Sequence, residues 1–271
     1  MTQPLISIIT ISYNCAAAIE KTIRSVLAQR YPDFEYIIID GGSTDGTADI
    51  IRRHSPNLAY WVSERDRGIS DAFNKGIAAA RGRYINLLNA GDTFASVHTL
   101  EELAPHLTAP LVTFRFMEEN SGEHSRLVDE NEPDMEKKAL LGHQATFVSR
   151  DVYTAFGGYN GSYKIRMDFD FFLRVLPHHQ LKAVDMDIVR YNAGLSGSVK
   201  HRLRYEIEGL ISVFLNGKKP NSYILKCIYL PLWRVGMYSL KRTVKKLIGY
   251  TPRPQKSPAT HPDPKQTTFI G

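Results

Sequence analysis

Apolar residues in this chain alternate between two patterns, unbroken runs and helix-spaced series. Residues 5–12 are almost continuously apolar, as in a parallel strand buried on both faces. Over 16–29, Ala18, Ile19, Ile23, Val26 and Leu27 recur at helical spacing. The alternation continues with a strand over 34–40, a helix over 47–54, a short strand over 58–63, a helix over 69–81 and a strand over 83–88. This order predicts βαβ units and a mainly parallel central sheet in an α/β fold. Later strands are expected over 111–117, 144–149 and 184–191, with helices over 151–156 and 169–176. Residues 118–133 read as a polar loop. From Val199 the chain reads as helix, and 251–271 is a polar, proline-rich tail whose composition predicts disorder.

Composition changes this picture mainly at the C-terminal end. A chain of 271 residues, 43% hydrophobic, has room for one large α/β domain and an appendage. Cys15 and Cys227 make neither a disulfide framework nor a metal spacing, which points to a reducing compartment. The first apolar run is too short for a signal peptide. The net charge of +6 is unevenly spread: residues 1–198 carry 20 Lys and Arg against 25 Asp and Glu, whereas 199–257 carry 13 against 2. The basic character therefore belongs to the C-terminal segment, where it suits an anionic membrane surface or nucleic acid.

Candidate chemistry collects where predicted strands end. The strand over 34–40 closes in Asp40 and continues as Gly41-Gly42-Ser43-Thr44-Asp45-Gly46. In open α/β sheets ligands bind at such turns, where glycines allow close backbone approach and an acid can accept hydrogen bonds from a base or ribose. No G-x-G-x-x-G follows the strand, so the dinucleotide fingerprint is absent. Asn89-Ala90-Gly91-Asp92 puts another acid past an apolar strand, a place for a hard cation shared with phosphate oxygens or for an Asx turn. Asp71, Asn74 and Lys75 share one face of a helix whose N-terminus suits a diphosphate, with capping by Ser70 or Asp66 as the alternative. Asp168 and Asp170 open an apolar helix, either as a general base or as partners of the helix dipole. His143-Gln144 precedes a strand, and on its own His143 reads equally as a structural histidine.

Taken in order, Ser12-Tyr13-Asn14, the turn from Asp40 to Gly46, the stretch from Glu64 to Gly76, Gly82 through Asp92, His143-Gln144 and Asp168-Phe169-Asp170 resemble the family-2 glycosyltransferases of GT-A fold. Within them the likeness is to the bacterial exopolysaccharide and colanic-acid-type branch. It implies a GT-A-type nucleotide-binding catalytic domain over 1–198, a basic amphipathic helical segment over 199–250 and the tail over 251–271. It also implies inverting transfer of one sugar from a nucleotide-diphospho-sugar to a hydroxyl of a lipid-linked saccharide, with Mg²⁺ or Mn²⁺. By position, Asp168 matches the base that deprotonates the acceptor. Tyr13, Asn14, Asp40, Gly42 and Asp45 match the nucleotide pocket; Asp66, Gly68 and Asn74 match the segment beside the diphosphate. Asp92 matches the last acid, and metal ligand, of the D-x-D motif. His143, Gln144, Asp170 and Ser196 are expected near the acceptor or the diphosphate.

The chain departs from the family pattern in several places. Asp40-Gly41-Gly42-Ser43 replaces Asp-Asp-Gly-Ser, only one metal carboxylate remains in 89–92, and Met167 replaces the Glu of Glu-Asp. Ala193 replaces the first glycine of a Gly-Gly-x-Ser segment that ends in Ser196. The Gln-x-x-Arg-Trp motif of processive synthases is missing, which implies single-sugar transfer. These reductions keep open a non-catalytic nucleotide-sugar or glycan-binding protein. A nucleotidyltransferase would want a glycine-rich basic loop where Tyr13-Asn14-Cys15-Ala16 stands. Over 223–240 an apolar stretch is broken by Lys226, Pro231 and Arg234; then Lys241, Arg242, Lys245 and Lys246 alternate with Leu240, Val244, Leu247 and Ile248. That pattern predicts an interfacial helix docking an otherwise cytoplasmic enzyme on the inner face of the cell membrane, rather than nucleic-acid binding. Packing of these helices on the catalytic domain or on a second subunit is the alternative.

Overall fold

In the computed structural model, residues 3–192 and 202–217 are described. The N-terminal part builds β1 (Ile6–Ser12), α1 (Ala16–Leu27), β2 (Phe34–Asp40), α2 (Thr47–His54), β3 (Tyr60–Ser63), α3 (Ile69–Ala79) and β4 (Tyr84–Leu87). The chain continues through β5 (Thr93–Phe94), α4 (Thr99–Leu103), β6 (Leu111–Glu118), α5 (Met135–Lys138), β7 (Thr146–Ser149), α6 (Arg150–Phe156) and α7 (Met167–Val175). It ends in β8 (Leu181–Tyr191) and α8 (Arg202–Leu215).

One eight-stranded sheet runs in the order β3-β2-β1-β4-β7-β6-β8-β5. The first four strands pair in parallel. β7 lies antiparallel between β4 and β6, β8 is parallel to β6, and β5 closes the far edge antiparallel to β8. Between β2 and β4 the strand order reverses around β1, so the loops after these strands splay apart and open a crevice at their carboxyl ends. The register levels those ends: Ser12 lies opposite Asp40, and Asp40 opposite Ser63.

The continuous apolar runs are explained by burial on both faces. Ile9, Ile37, Ile39, Ile85 and Leu87 pack with residues of α3, α6 and α7 on one side. Ile6, Ile8, Tyr36 and Ile38 pack with residues of α1 and α2 on the other. The expected β–α alternation is present through β4. A one-turn 3-10 helix, His143–Ala145, stands where the strand over 144–149 was expected to begin. The helix expected over 69–81 stops at Ala79 because the chain must pass tightly over β1: a Cβ at Gly82 would sit 2.5 Å from the Ser7 nitrogen.

Residues 202–217 lie in the segment expected to follow the domain over 1–198, and their packing is visible in the structure. α8 seats on α7, and its Ser212 and Val213 are fully buried, Val213 within the core shared by α3, α6 and α7. α8 thus shares the core of the preceding residues, which is the alternative of packing on the domain.

Candidate active site

A cleft of about 980 Å³ opens at the carboxyl ends of the parallel strands. Its lining includes Tyr13, Asn14, Asp66, Gly68, Asn89 and Asp92 from the N-terminal half and His143, Gln144, Lys164, Arg166 and Asp168 from the later segments. Eight positions singled out in the sequence thus meet in one cavity: Tyr13, Asn14, Asp66, Gly68, Asp92, His143, Gln144 and Asp168. Tyr13 stands at the rim, 65% exposed, its ring available for stacking on a ligand.

Asp40 does not face this cleft. It is fully buried, and its Oδ1 accepts the hydroxyls of Ser12 and Ser43 at 2.8 and 2.6 Å. Its Oδ2 accepts the Ser63 hydroxyl at 2.6 Å and the Ser43 N–H at 2.9 Å. Burial pushes the Asp40 carboxyl upward, but the bonds from Ser43, Ser63 and Ser12 outweigh it and hold the group below the usual carboxylate range. The levelled strand ends bring Ser12 and Ser63 to the acid, and the turn that follows it adds Ser43. Asp45 is likewise committed, accepting the Ala16 N–H at 3.0 Å and the Thr47 hydroxyl at 2.6 Å. Gly42 adopts φ +79°, which a side chain would strain. Asp40, Gly42 and Asp45 therefore build the loop that holds Asn14, whose Oδ1 accepts the Thr44 N–H at 2.9 Å.

Gly41 has a different use. A Cβ there would lie 2.4 Å from Asp66 Oδ2 and 3.3 Å from the Tyr13 ring. The departure from Asp-Asp-Gly-Ser thus admits the Asp66 carboxylate beside Tyr13, fixed through its Oδ1 by the Gly68 N–H at 2.8 Å.

Asn74 and Asp170 are also turned away from the cleft. Asn74 accepts the Tyr159 N–H and donates to the Tyr159 carbonyl, both at 2.8 Å, and so fastens α3 to the loop before α7. Asp71 and Lys75, its companions on that face, pair with Arg67 and Glu64. Asp170 is 4% exposed and bonds Arg174 on its own helix and Ser212 and Asn216 at the end of the chain's described part. Ser196 and residues 218–271, including the basic 241–246 patch, lie outside the described residues.

Asp92 and Asp168, with Asp66, are the acids that line the cleft. Asp92 is 2% exposed; its Oδ1 accepts the Asn192 N–H at 2.9 Å, and its buried Oδ2 has no hydrogen-bond partner among the described residues. Burial raises its carboxyl to about 6, opposed by the Asn192 bond and the nearby His143. Gly91, at φ +102°, makes the turn that delivers it. Among the described residues no three His, Cys, Asp or Glu cluster as a metal cage. The orphaned Oδ2 nevertheless fits a hard cation with one protein ligand, the rest of its shell coming from phosphates and water. Asp168 Oδ2 lies 3.3 Å from His143 Nδ1, and His143 Nε2 lies 2.9 Å from Asn89 Nδ2. With the Asn89 amide donating to Nε2, the imidazole carries its proton on Nδ1 and presents it to Asp168. Asn89, His143 and Asp168 form a chain across the cleft that starts three residues before Asp92.

Lys164, Arg166 and Tyr205 also line the cleft, and sequence reasoning passed over them. The alternation Lys164-x-Arg166-x-Asp168 is the available signal for the first two, while Tyr205 lies in the segment expected to be an appendage.

The model of the glycosyl transferase family 2 matches residues 7–163. The chain belongs to that family. It is 31% identical over 217 residues to the PGL/p-HBAD biosynthesis glycosyltransferase of Mycobacterium bovis, covering 73% of this chain and 82% of the relative. Among solved structures, Staphylococcus aureus TarS 1-349 in complex with UDP superposes with a TM-score of 0.64 at 14% identity, over 87% of this chain and 75% of that one. The mannosyltransferase PcManGT of Pyrobaculum calidifontis, in complex with GDP-Man and Mn²⁺, gives 0.60 at 20% identity, over 93% and 77%. These structural likenesses bear out the GT-A-type α/β fold, and the family makes the protein a glycosyltransferase.

Proposed function

We propose that this glycosyltransferase moves one sugar, with inversion, from a nucleotide-diphospho-sugar to a hydroxyl of a lipid-linked saccharide. The observation that carries this reading is the convergence of Asp92 and Asp168 on one cleft, joined through Asn89 and His143. Tyr13, Asn14 and Asp66 hold the nucleoside; Gly68 and Lys164 lie along the path of the diphosphate. Asp92 would hold Mg²⁺ or Mn²⁺, which would supply charge neutralisation for the leaving diphosphate. Asp168 accepts the proton of the acceptor hydroxyl as its oxygen attacks the anomeric carbon, and His143 orients the carboxylate. Gln144 belongs to the acceptor side by its place next to His143. Relatives and neighbours support a nucleotide-linked donor; assignment to exopolysaccharide or lipopolysaccharide synthesis rests on the motif resemblance.

Asp168→Asn tests the reading. Transfer should fall on the order of a hundredfold to ten-thousandfold, with nucleotide binding nearly intact. The assay is a panel of nucleotide sugars, including UDP-GlcNAc and GDP-Man, with and without Mn²⁺. Activity retained in Asp168→Asn refutes Asp168 as the base.

Docking of residues 218–250 on an anionic membrane completes the proposal, since a lipid-linked acceptor lies at such a surface. No helix among the described residues is long and apolar enough to cross a membrane. Flotation should show binding to anionic and not neutral liposomes, lost when Lys241, Arg242, Lys245 and Lys246 are replaced by Gln.

A further inference from the structure

Helix α8 grips the chain on both sides of Asp168. Glu208 is 5% exposed, and its Oε2 accepts the N–H groups of Lys164, Ile165 and Arg166 at 3.1, 2.8 and 3.1 Å. Its Oε1 accepts the Lys164 N–H at 3.1 Å and the Arg204 Nε at 2.8 Å. Three successive backbone N–H groups thus converge on one carboxylate, the arrangement of an anion nest, here filled from within the molecule. Two residues further on stands Asp168. On the other side of it, Asp170 Oδ1 accepts the Ser212 hydroxyl at 3.1 Å.

Arg166 ties the same turn to α8 by a second route. Its guanidinium lies 3.9 Å from the Phe169 ring centre and 4.1 Å from that of Tyr205, and its Nη1 donates to the Tyr205 hydroxyl at 2.6 Å. Room for it comes from Gly209, where a Cβ would lie 2.8 Å from Nη2 and 2.9 Å from Nε.

We propose that Glu208 is a positioning residue for Asp168, so that α8 is part of the catalytic apparatus and not an appendage. The inference rests on Asp168 as the general base. The Asp168–His143 contact is already 3.3 Å, at the long end of a hydrogen bond. A small rotation of the turn at 164–166 breaks it and takes the carboxylate off line. Misplacement of a reacting group by about 1 Å costs about a hundredfold in rate. Truncating Glu208 leaves three N–H groups without their acceptor, and the turn must move to find water.

The test uses full-length variants, the nucleotide-sugar panel and hydrogen exchange. Glu208→Ala is expected to lower kcat by about tenfold to a hundredfold. The donor KM and the affinity for UDP or GDP should change less than kcat, because Glu208 is not among the residues that line the cleft and the Lys164 ammonium is held separately by the Arg67 carbonyl. The amides of 164–166 should lose exchange protection. Glu208→Gln, which keeps one carbonyl acceptor, should restore part of kcat. Gly209→Ala separates positioning from stability: alanine favours a helix, so α8 is not weakened, yet the methyl displaces the Arg166 guanidinium. It should reduce kcat while the gain in helix propensity offsets much of the lost Arg166 packing, so that the protein stays fully folded at the assay temperature. Full kcat in Glu208→Ala overturns the proposal, as does a kcat loss that only tracks the unfolded fraction while Gly209→Ala is fully active. If Asp168→Asn proves active, the general-base reading falls by itself. Exchange at 164–166 and kcat in the Glu208 variants then still report whether α8 sets the turn.

Discussion

Asp40 and Asp92 both lie at the carboxyl side of the parallel strands and both are almost wholly buried, at 0% and 2% exposure, yet they are opposites. Asp40 receives four donors and is held ionised. Asp92 receives the Asn192 N–H on one oxygen, has no partner for the other among the described residues, and is pushed up to about 6. A buried acid whose lone pairs are filled is a structural pin. One with a lone pair left over is held at a cost in stability, and a ligand is what offsets that cost. Burial alone therefore does not distinguish a scaffold carboxylate from a working one; the count of donors does.

The largest effect that separates them is on stability. Asp40→Ala should lower stability by about 3–5 kcal/mol, because three serine hydroxyls and an N–H lose their acceptor in a buried site. At about 2–4 °C per kcal/mol for a domain of this size, thermal unfolding reads this easily. Wild-type Tm together with a raised donor KM would return Asp40 to the ligand-facing role its motif implies. The sign with pH follows from its lowered carboxyl: its contribution is present above the ordinary carboxylate pKa and disappears as pH falls through the folded value.

Asp92 should behave in the opposite sense. Its folded pKa, about 6, exceeds the ordinary 3.8, so the folded form binds the proton more tightly than the unfolded one. Its contribution to stability therefore falls as pH rises from about 4 to about 6. Without divalent metal at pH 7, Asp92→Asn should gain about 2 kcal/mol and raise Tm by several degrees. Mn²⁺ should raise the Tm of wild type and leave that of Asp92→Asn unchanged. A destabilised Asp92→Asn, or equal Mn²⁺ shifts in both, would make Asp92 a second structural pin.

Asn74→Ala gives the smallest effect and extends the comparison to α3. Loss of both hydrogen bonds to the Tyr159 backbone should cost about 1–2 kcal/mol, with the donor KM unchanged. A donor KM raised several-fold at wild-type stability would place Asn74 at the diphosphate after all.

Much of this protein is legible in its order of residues. The runs over 5–12 and 34–40 and the helix-spaced series between them are dictated by burial on both faces of a parallel sheet, and that pattern needs no partner to be read. Strand ends, turn glycines and the acids after them are equally local, but it is the order of these motifs and its likeness to the family that groups Tyr13, Asn14, Asp66, Asp92, His143 and Asp168, which line one cleft. Tertiary structure alone decided which acids remain free. Whether Asp40 is occupied depends on serines 28 and 23 residues away, brought level by strand register. Whether Asp170 faces a substrate or a helix depends on Ser212, 42 residues on. A two-residue strand such as Thr93–Phe94 has too few positions for any periodicity and exists only because β8 is there to pair with it. Local pattern determines which face of an element is buried. Which hydrogen-bonding groups are satisfied there is set by contacts between distant segments, and that satisfaction is what divides scaffold from site in this enzyme.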